Sequence, residues 1–178
     1  STQSTISATI TVTPSYENNG IICDGNAETF TITVNPSPEM DNVEDVVLCN
    51  NEISSIIEFT TPNTDGNTTY TWTNDNTSIG LSSTGNGDIP SFTALNLSPI
   101  TEVATITVTP TYENNGVVCI GDSQTFSISV LSEIEITGTT VDALDCNDPN
   151  SGNINITVTG GSGVYDFLWS NGAITEDL

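Results

Sequence analysis

The sequence predicts an all-β protein made of β-sandwich domains placed end to end, and three observations carry that prediction. The first is a repeat. Residues 8–34, ATITVTPSYENNGIICDGNAETFTITV, return at 104–130 as ATITVTPTYENNGVVCIGDSQTFSISV, with 18 identities in 27 ungapped positions. The second is period two: Ala104, Ile106 and Val108 alternate with Thr105, Thr107 and Thr109, and Phe126, Ile128 and Val130 alternate with Thr125, Ser127 and Ser129. Such alternation of apolar with hydroxyl residues marks half-buried strands. The third is punctuation. Pro, Asn-Asn-Gly and Gly-Asp stand between the runs as turn signals, and no stretch shows helical periodicity of useful length.

Each copy of the repeat therefore reads as a hairpin-like strand pair that recurs once per 96 residues. That period suits an immunoglobulin-like sandwich better than a solenoid, whose repeats run about 20–50 residues. One complete domain is expected at 36–131, with strands near Val46–Cys49, Ser55–Thr61, Thr68–Asn74, Ile89–Leu95, Val103–Tyr112 and Gln124–Leu131. In TTYTWTND, Tyr70 and Trp72 share one face, and a buried Trp suits the centre of such a sandwich. Residues 1–35 are then the C-terminal strands of a preceding copy. Residues 132–178 follow a different pattern: GNINITVTGG is another alternating strand, and VYDFLWSNG sets Tyr165, Phe167 and Trp169 on one face before an Asn-Gly turn. They are expected to open a different β domain.

Composition narrows function by exclusion. The 178 residues hold no Lys, Arg or His against 23 Asp and Glu, a formal charge of −23. Nucleic acids and anionic membranes are bound through Lys and Arg, so neither is an expected partner. A P-loop lacks its Lys, an acyl-transfer triad its His, a zinc site its usual imidazoles, and an isopeptide cross-link its Lys. Disorder is the other reading of high charge, but 35% of residues are apolar and they are patterned, which is enough for a core. No run of about 18 apolar residues predicts a spanning helix. The chain opens without a charged and apolar leader, and is expected to be an excerpt of a longer exported polypeptide.

The wording of the complete copy is specific. VVLCNNE, YTWTNDNTSIGLSSTGNGDIPSFTALN and ATITVTPTYENNGVVCIGDSQTFSISV resemble the PKD-like domains found in tandem in surface proteins of Bacteroidota. The tail, DCNDPNSGNINITVTGGSGVYDFLWSNGAITEDL, resembles the opening of a SprB repeat. It departs mildly from that family's wording: Gly163 and Val164 replace two prolines, and Phe167 replaces a tyrosine. The resemblance implies a large, repetitive, cell-surface adhesin of the gliding-motility type, exported by type IX secretion. By the same resemblance its partners are surface motility or anchoring machinery and external surfaces or glycans, besides neighbouring domains of its own polypeptide. Neither family brings catalytic residues or a cofactor, and none is assigned here.

Candidate sites are few. Glu44–Asp45 and Asp24 with Glu28 could form a carboxylate dyad, but a general acid needs an apolar cleft and these acids fall in loops, so solvated acids are the expectation. The threonine ladders suit ice-binding arrays less well than the ordinary solvent face of a strand. Oxygen-only loops at Asn63–Asn67, Asn74–Asn76 and Asp142–Gly152, with the acidic linker Pro36–Asp45, offer hard ligands for Ca²⁺. None fits the spaced twelve-residue loop, and turn formation accounts for the same residues.

Four cysteines allow three pairings. If the first strand's start and the last hairpin's loop share one end of the sandwich, Cys49 faces Cys119, and a Cys49–Cys119 disulfide is the expected site. Cys23 and Cys146 would then pair with cysteines beyond this segment. The alternative, Cys23–Cys49 with Cys119–Cys146, requires equivalent ends of successive domains to touch. Two functions from different classes result: a non-catalytic stalk or filament segment, which is favoured, or a glycan- or protein-binding sandwich. Tyr16 and Tyr112, at strand ends, are the aromatics that bear on the second.

Overall fold

The computed structural model describes residues 2–141 and 152–178. The protein is all-β: among the described residues there is no α-helix, and the only helical turn is the 3₁₀ turn Thr77–Ile79. The strands are β1 (Ile6–Val12), β2 (Ser15–Asn18), β3 (Ile21–Asp24), β4 (Glu28–Val34), β5 (Val46–Cys49), β6 (Asn67–Asn74), β7 (Thr84–Asn86), β8 (Glu102–Asn114), β9 (Val117–Ile120), β10 (Gln124–Val141) and β11 (Asn153–Gly161). The largest sheet runs β11-β10-β8-β6-β7, with β5 added on β10 and β9 on β8.

One compact unit comprises Ser1–Asn42, Phe59–Thr71 and Val108–Gln124. Here the repeat becomes repeated local structure. β1 pairs antiparallel with β4 from Ile6↔Val34 to Val12↔Glu28. β2 pairs with β3 around Asn19 and Gly20, whose φ values of 52° and 82° give the left-handed pair of a type I′ turn. Later, β8 pairs with β9 around Asn115 and Gly116, with φ values of 52° and 79°. Gly25 N–H donates to Pro14 O at 2.8 Å, and its counterpart Gly121 N–H donates to Pro110 O at 2.9 Å. Local sequence thus dictates the same hairpin twice.

Burial does not follow the repeat. Tyr112 is fully buried, whereas its counterpart Tyr16 is 68% exposed. Phe126, Ile128 and Val130 are buried, whereas Phe30, Ile32 and Val34 are exposed. Hairpin shape is a local property; burial needs other strands on the apolar face, and only the later copy has them.

The second unit comprises Val43–Glu58, Trp72–Thr107 and Thr125–Leu178. Its core holds Leu48, Trp72, Ile79, Leu81, Ile89, Ile106, Ile128 and Val130; of these, Trp72, Ile106, Ile128 and Val130 stand on the alternating positions that the sequence marks as inward. Two expected strands are absent as regular elements. Ser55–Thr61 and Ile89–Leu95 are reduced to the isolated bridges Ile57↔Ile89 and Ile53↔Thr93. Pro90 has no N–H to give a ladder, and the Phe92 N–H is taken by the Ser54 hydroxyl at 3.0 Å.

β10 is also longer than the expected Gln124–Leu131. It runs unbroken to Val141; its first part pairs parallel with β5 and its later part antiparallel with β11, from Glu135↔Thr159 to Val141↔Asn153. A register shift between Ser132 and Glu135 marks the changeover.

Candidate functional site

The disulfide expected between Cys49 and Cys119 is not formed in the structure. Both are free thiols, as is Cys23. β5 runs parallel to β10 and ends with Cys49 level with Leu131. Cys119 precedes the start of β10 and faces Tyr112 across the β8–β9 hairpin. Cys49 is the last residue of β5, whose bounds are those of the expected strand Val46–Cys49. Cys146 and nearly all of the Asp142–Gly152 loop lie outside the described residues.

The carboxylates, with no cation to pair with, take backbone N–H and hydroxyl partners. Asp45 Oδ1 accepts from Ser127 N–H at 2.7 Å, Asp75 Oδ1 from Thr105 N–H at 2.6 Å, and Glu52 Oε2 from Cys49 N–H at 2.8 Å. Asp41 Oδ2 accepts from the Thr60 hydroxyl at 2.6 Å. Ser127 holds the Asp45 carboxyl below its ordinary pKa, its backbone N–H first and its side chain second. A general acid needs the reverse shift. Asp24 and Glu28 are exposed. No geometry of a carboxylate dyad emerges from either pair.

Asn63, Asn74 and Asn76 engage their side-chain oxygens in hydrogen bonds within the protein. Asn63 Oδ1 accepts from Glu39 N–H at 2.6 Å and from the Thr61 hydroxyl at 3.1 Å. Asn74 Oδ1 accepts from Asn76 N–H at 2.9 Å, and Asn76 Oδ1 from Ser78 N–H at 3.1 Å. Among the described residues, no group of three or more Asp, Glu, Cys or His is placed to hold a metal.

Trp72 and Tyr112 are core aromatics. Trp72 is buried, and a Cβ on Gly85 would stand 2.9 Å from its Cη2, so only glycine lets the chain lie on the indole. Tyr112 donates its phenol proton to Thr64 O at 3.0 Å. Burial above all, then the Asp65 carboxylate and the Cys119 thiol, raises its pKa. Tyr112 is therefore part of the core, whereas Tyr16 is exposed. Sequence reasoning missed Asn96, which is buried. Its Nδ2 donates to Ile100 O and Val130 O, both at 2.8 Å, and its Oδ1 accepts from Ser98 N–H at 2.8 Å. Nothing distinguishes it in sequence from the many turn asparagines.

The C-terminal phrase WSNGAITEDL forms a small clasp. Gly172, with φ 87°, returns its N–H to Trp169 O at 2.9 Å, and Trp169 Nε1 donates to Thr175 O at 2.7 Å. Ile154 and Leu178 exchange both backbone bonds, at 2.7 and 3.0 Å, and Asp177 Oδ1 accepts from Ile156 N–H at 3.0 Å. The phrase thus pins the far end of the segment back on β11.

Comparison with known proteins matches part of this region. Residues 137–174 match the SprB repeat family. No curated protein and no solved structure matches the chain. The SprB match supports a segment of a surface adhesin, non-catalytic and located at the cell exterior. No helix among the described residues is long and apolar enough to cross a membrane.

Proposed function

We propose that this chain is a spacer segment of a large, repetitive cell-surface adhesin of the gliding-motility type. In this reading 1–35 closes one PKD-like, immunoglobulin-like domain, 36–131 is a complete one, and 132–178 begins a SprB repeat. The SprB match at 137–174 carries the reading, because β10 brings the matched residues directly out of the complete copy as one strand. The repeated hairpins fit a part whose work is mechanical. Export by type IX secretion, contact with motility or anchoring machinery, and adhesion to external glycans belong to the same proposal, as properties of the whole polypeptide.

A charge of −23 without a single cation makes neighbouring domains and neighbouring filaments repel. The repulsion is screened over about 8 Å at physiological salt, so it acts between adjacent surfaces only. Small-angle scattering of the chain at low and high salt tests this. The expected result is an elongated particle whose maximum dimension shortens as salt rises. A compact, folded-back particle with the same dimensions at both salts would refute the spacer reading.

A further inference from the structure

Cys49 and Cys119 are free thiols, and the surroundings of each point to a pairing between successive copies. Cys49 is level with Leu131 on the neighbouring strand. The repeat offset of 96 residues makes Asn35 the counterpart of Leu131. A preceding complete copy would therefore carry its own Cys49 counterpart on the strand beside Asn35, about 4.8 Å away across a ladder.

What lies beside Asn35 in this structure is Cys119. Asn35, Val34 and Thr33 line one recess of about 360 Å³ with Asn114, Val117 and the half-buried Cys119. Asn114 Nδ2 donates to Asn35 Oδ1 at 3.2 Å, which holds the two sides together.

We propose that successive copies are covalently stapled: the cysteine that closes the β5-type strand of one copy bonds to the cysteine in the last hairpin loop of the next. In this arrangement Cys119 takes a partner from the copy before it, Cys23 does the same one copy earlier, and a Cys49 reaches forward wherever another copy follows. The chemistry is thiol–disulfide exchange. Both Sγ–H groups lose their protons, an Sγ–Sγ bond forms, and the electron pair passes to a small-molecule disulfide such as glutathione disulfide, which leaves as two thiols. An oxidising exterior preserves the bond. In a filament under tension, such a staple would carry load across each joint in parallel with the polypeptide.

The inference rests on the tandem reading above, so its test supplies the tandem copies itself. Residues 36–131 are repeated once, in frame, within the full chain. The protein is folded with its thiols reduced, checked for its β-sheet circular dichroism, and then oxidised with glutathione disulfide. Alkylation and peptide mapping with a glutamate-specific protease should recover one cross-linked peptide joining Cys49 of the leading copy to Cys119 of the following copy. A parallel chain keeps only those two cysteines, with all others changed to Ser, and should lose both titratable thiols. A mirror chain keeping only Cys49 and Cys119 of one copy should lose neither. A same-copy cross-link, or two alkylatable thiols in a folded tandem chain, would overturn the proposal while leaving the spacer reading intact. If the six-cysteine chain fails to fold, the two-cysteine chains decide the question alone.

Discussion

Gly66 is where a single methyl group should do the most damage. A Cβ built there would stand 2.5 Å from Tyr112 Oη and 2.6 Å from Cε2, about an ångström inside ordinary contact. The obstacle is not a mobile surface tip, because Tyr112 is fully buried and its hydroxyl is bound to Thr64 O at 3.0 Å. In Gly66→Ala the ring must move and the hydrogen bond must lengthen or break. Overpacking of this kind costs about 1–3 kcal/mol, and the lost hydrogen bond adds about 1 kcal/mol. Against that, Ala narrows the unfolded ensemble, a gain of about 0.4–1 kcal/mol. The net expectation is a loss of about 2 kcal/mol, read as a lower urea midpoint by circular dichroism. The same substitution in a Tyr112→Leu background should cost nearly nothing, since Leu has no atoms where the clash occurs. A Gly66→Ala variant as stable as the parent, or an equal penalty in both backgrounds, would refute the argument.

Two further outcomes follow from neighbouring geometry. Gly85→Ala drives a methyl group into the buried Trp72 indole, and should destabilise by about 1–3 kcal/mol with a red-shifted Trp emission; an unchanged spectrum and midpoint would sink it. Asp45 is bound to Ser127 N–H and its folded pKa lies below the ordinary 3.8. Its contribution is therefore complete above that value and disappears as pH falls through the depressed folded pKa. Asp45→Asn should flatten the acid limb of the urea midpoint against pH, and parallel limbs for parent and variant would exclude this role.

Local structure was legible in the sequence; closure was not. Asn-Gly at 19–20 and at 115–116 dictates a type I′ turn wherever it falls between strands, and both copies obey. The alternation in Glu102–Asn114 named the inward side chains correctly, because period two fixes which residues share a face. Strand direction has no such signature. VVLC reads the same whether β5 runs with or against β10, and nothing in it announces the parallel pairing that sets Cys49 level with Leu131. The weak strands failed for a different reason. Around Pro90 the apolar pattern is right, but a missing donor and a serine hydroxyl that substitutes for a backbone acceptor leave bridges in place of a ladder. Asn74 and Asn96 show the same limit from the side-chain end, since an asparagine that ties up carbonyls in the core is spelled like one that makes a turn.

The acidic composition also solves a problem that strands reading Ile-Thr-Val-Thr create. An edge strand presents unpaired N–H groups to any other edge, and a polypeptide with repeated strands multiplies the hazard. β11 lies at one end of its sheet's order, with β10 as its neighbour. The chain covers that edge itself: Leu178 takes both backbone bonds of Ile154, and the Asp177 carboxylate takes the Ile156 N–H. A carboxylate is well suited to this task, because it satisfies the donor and offers an incoming strand only a negative charge. Lys or Arg could repel as well, but could not accept the N–H. Asp75 on Thr105 and Asp45 on Ser127 apply the same chemistry to other strands. Acids alone can therefore both close strand donors and keep like surfaces apart, and a chain that uses them for both has no structural need for a cation.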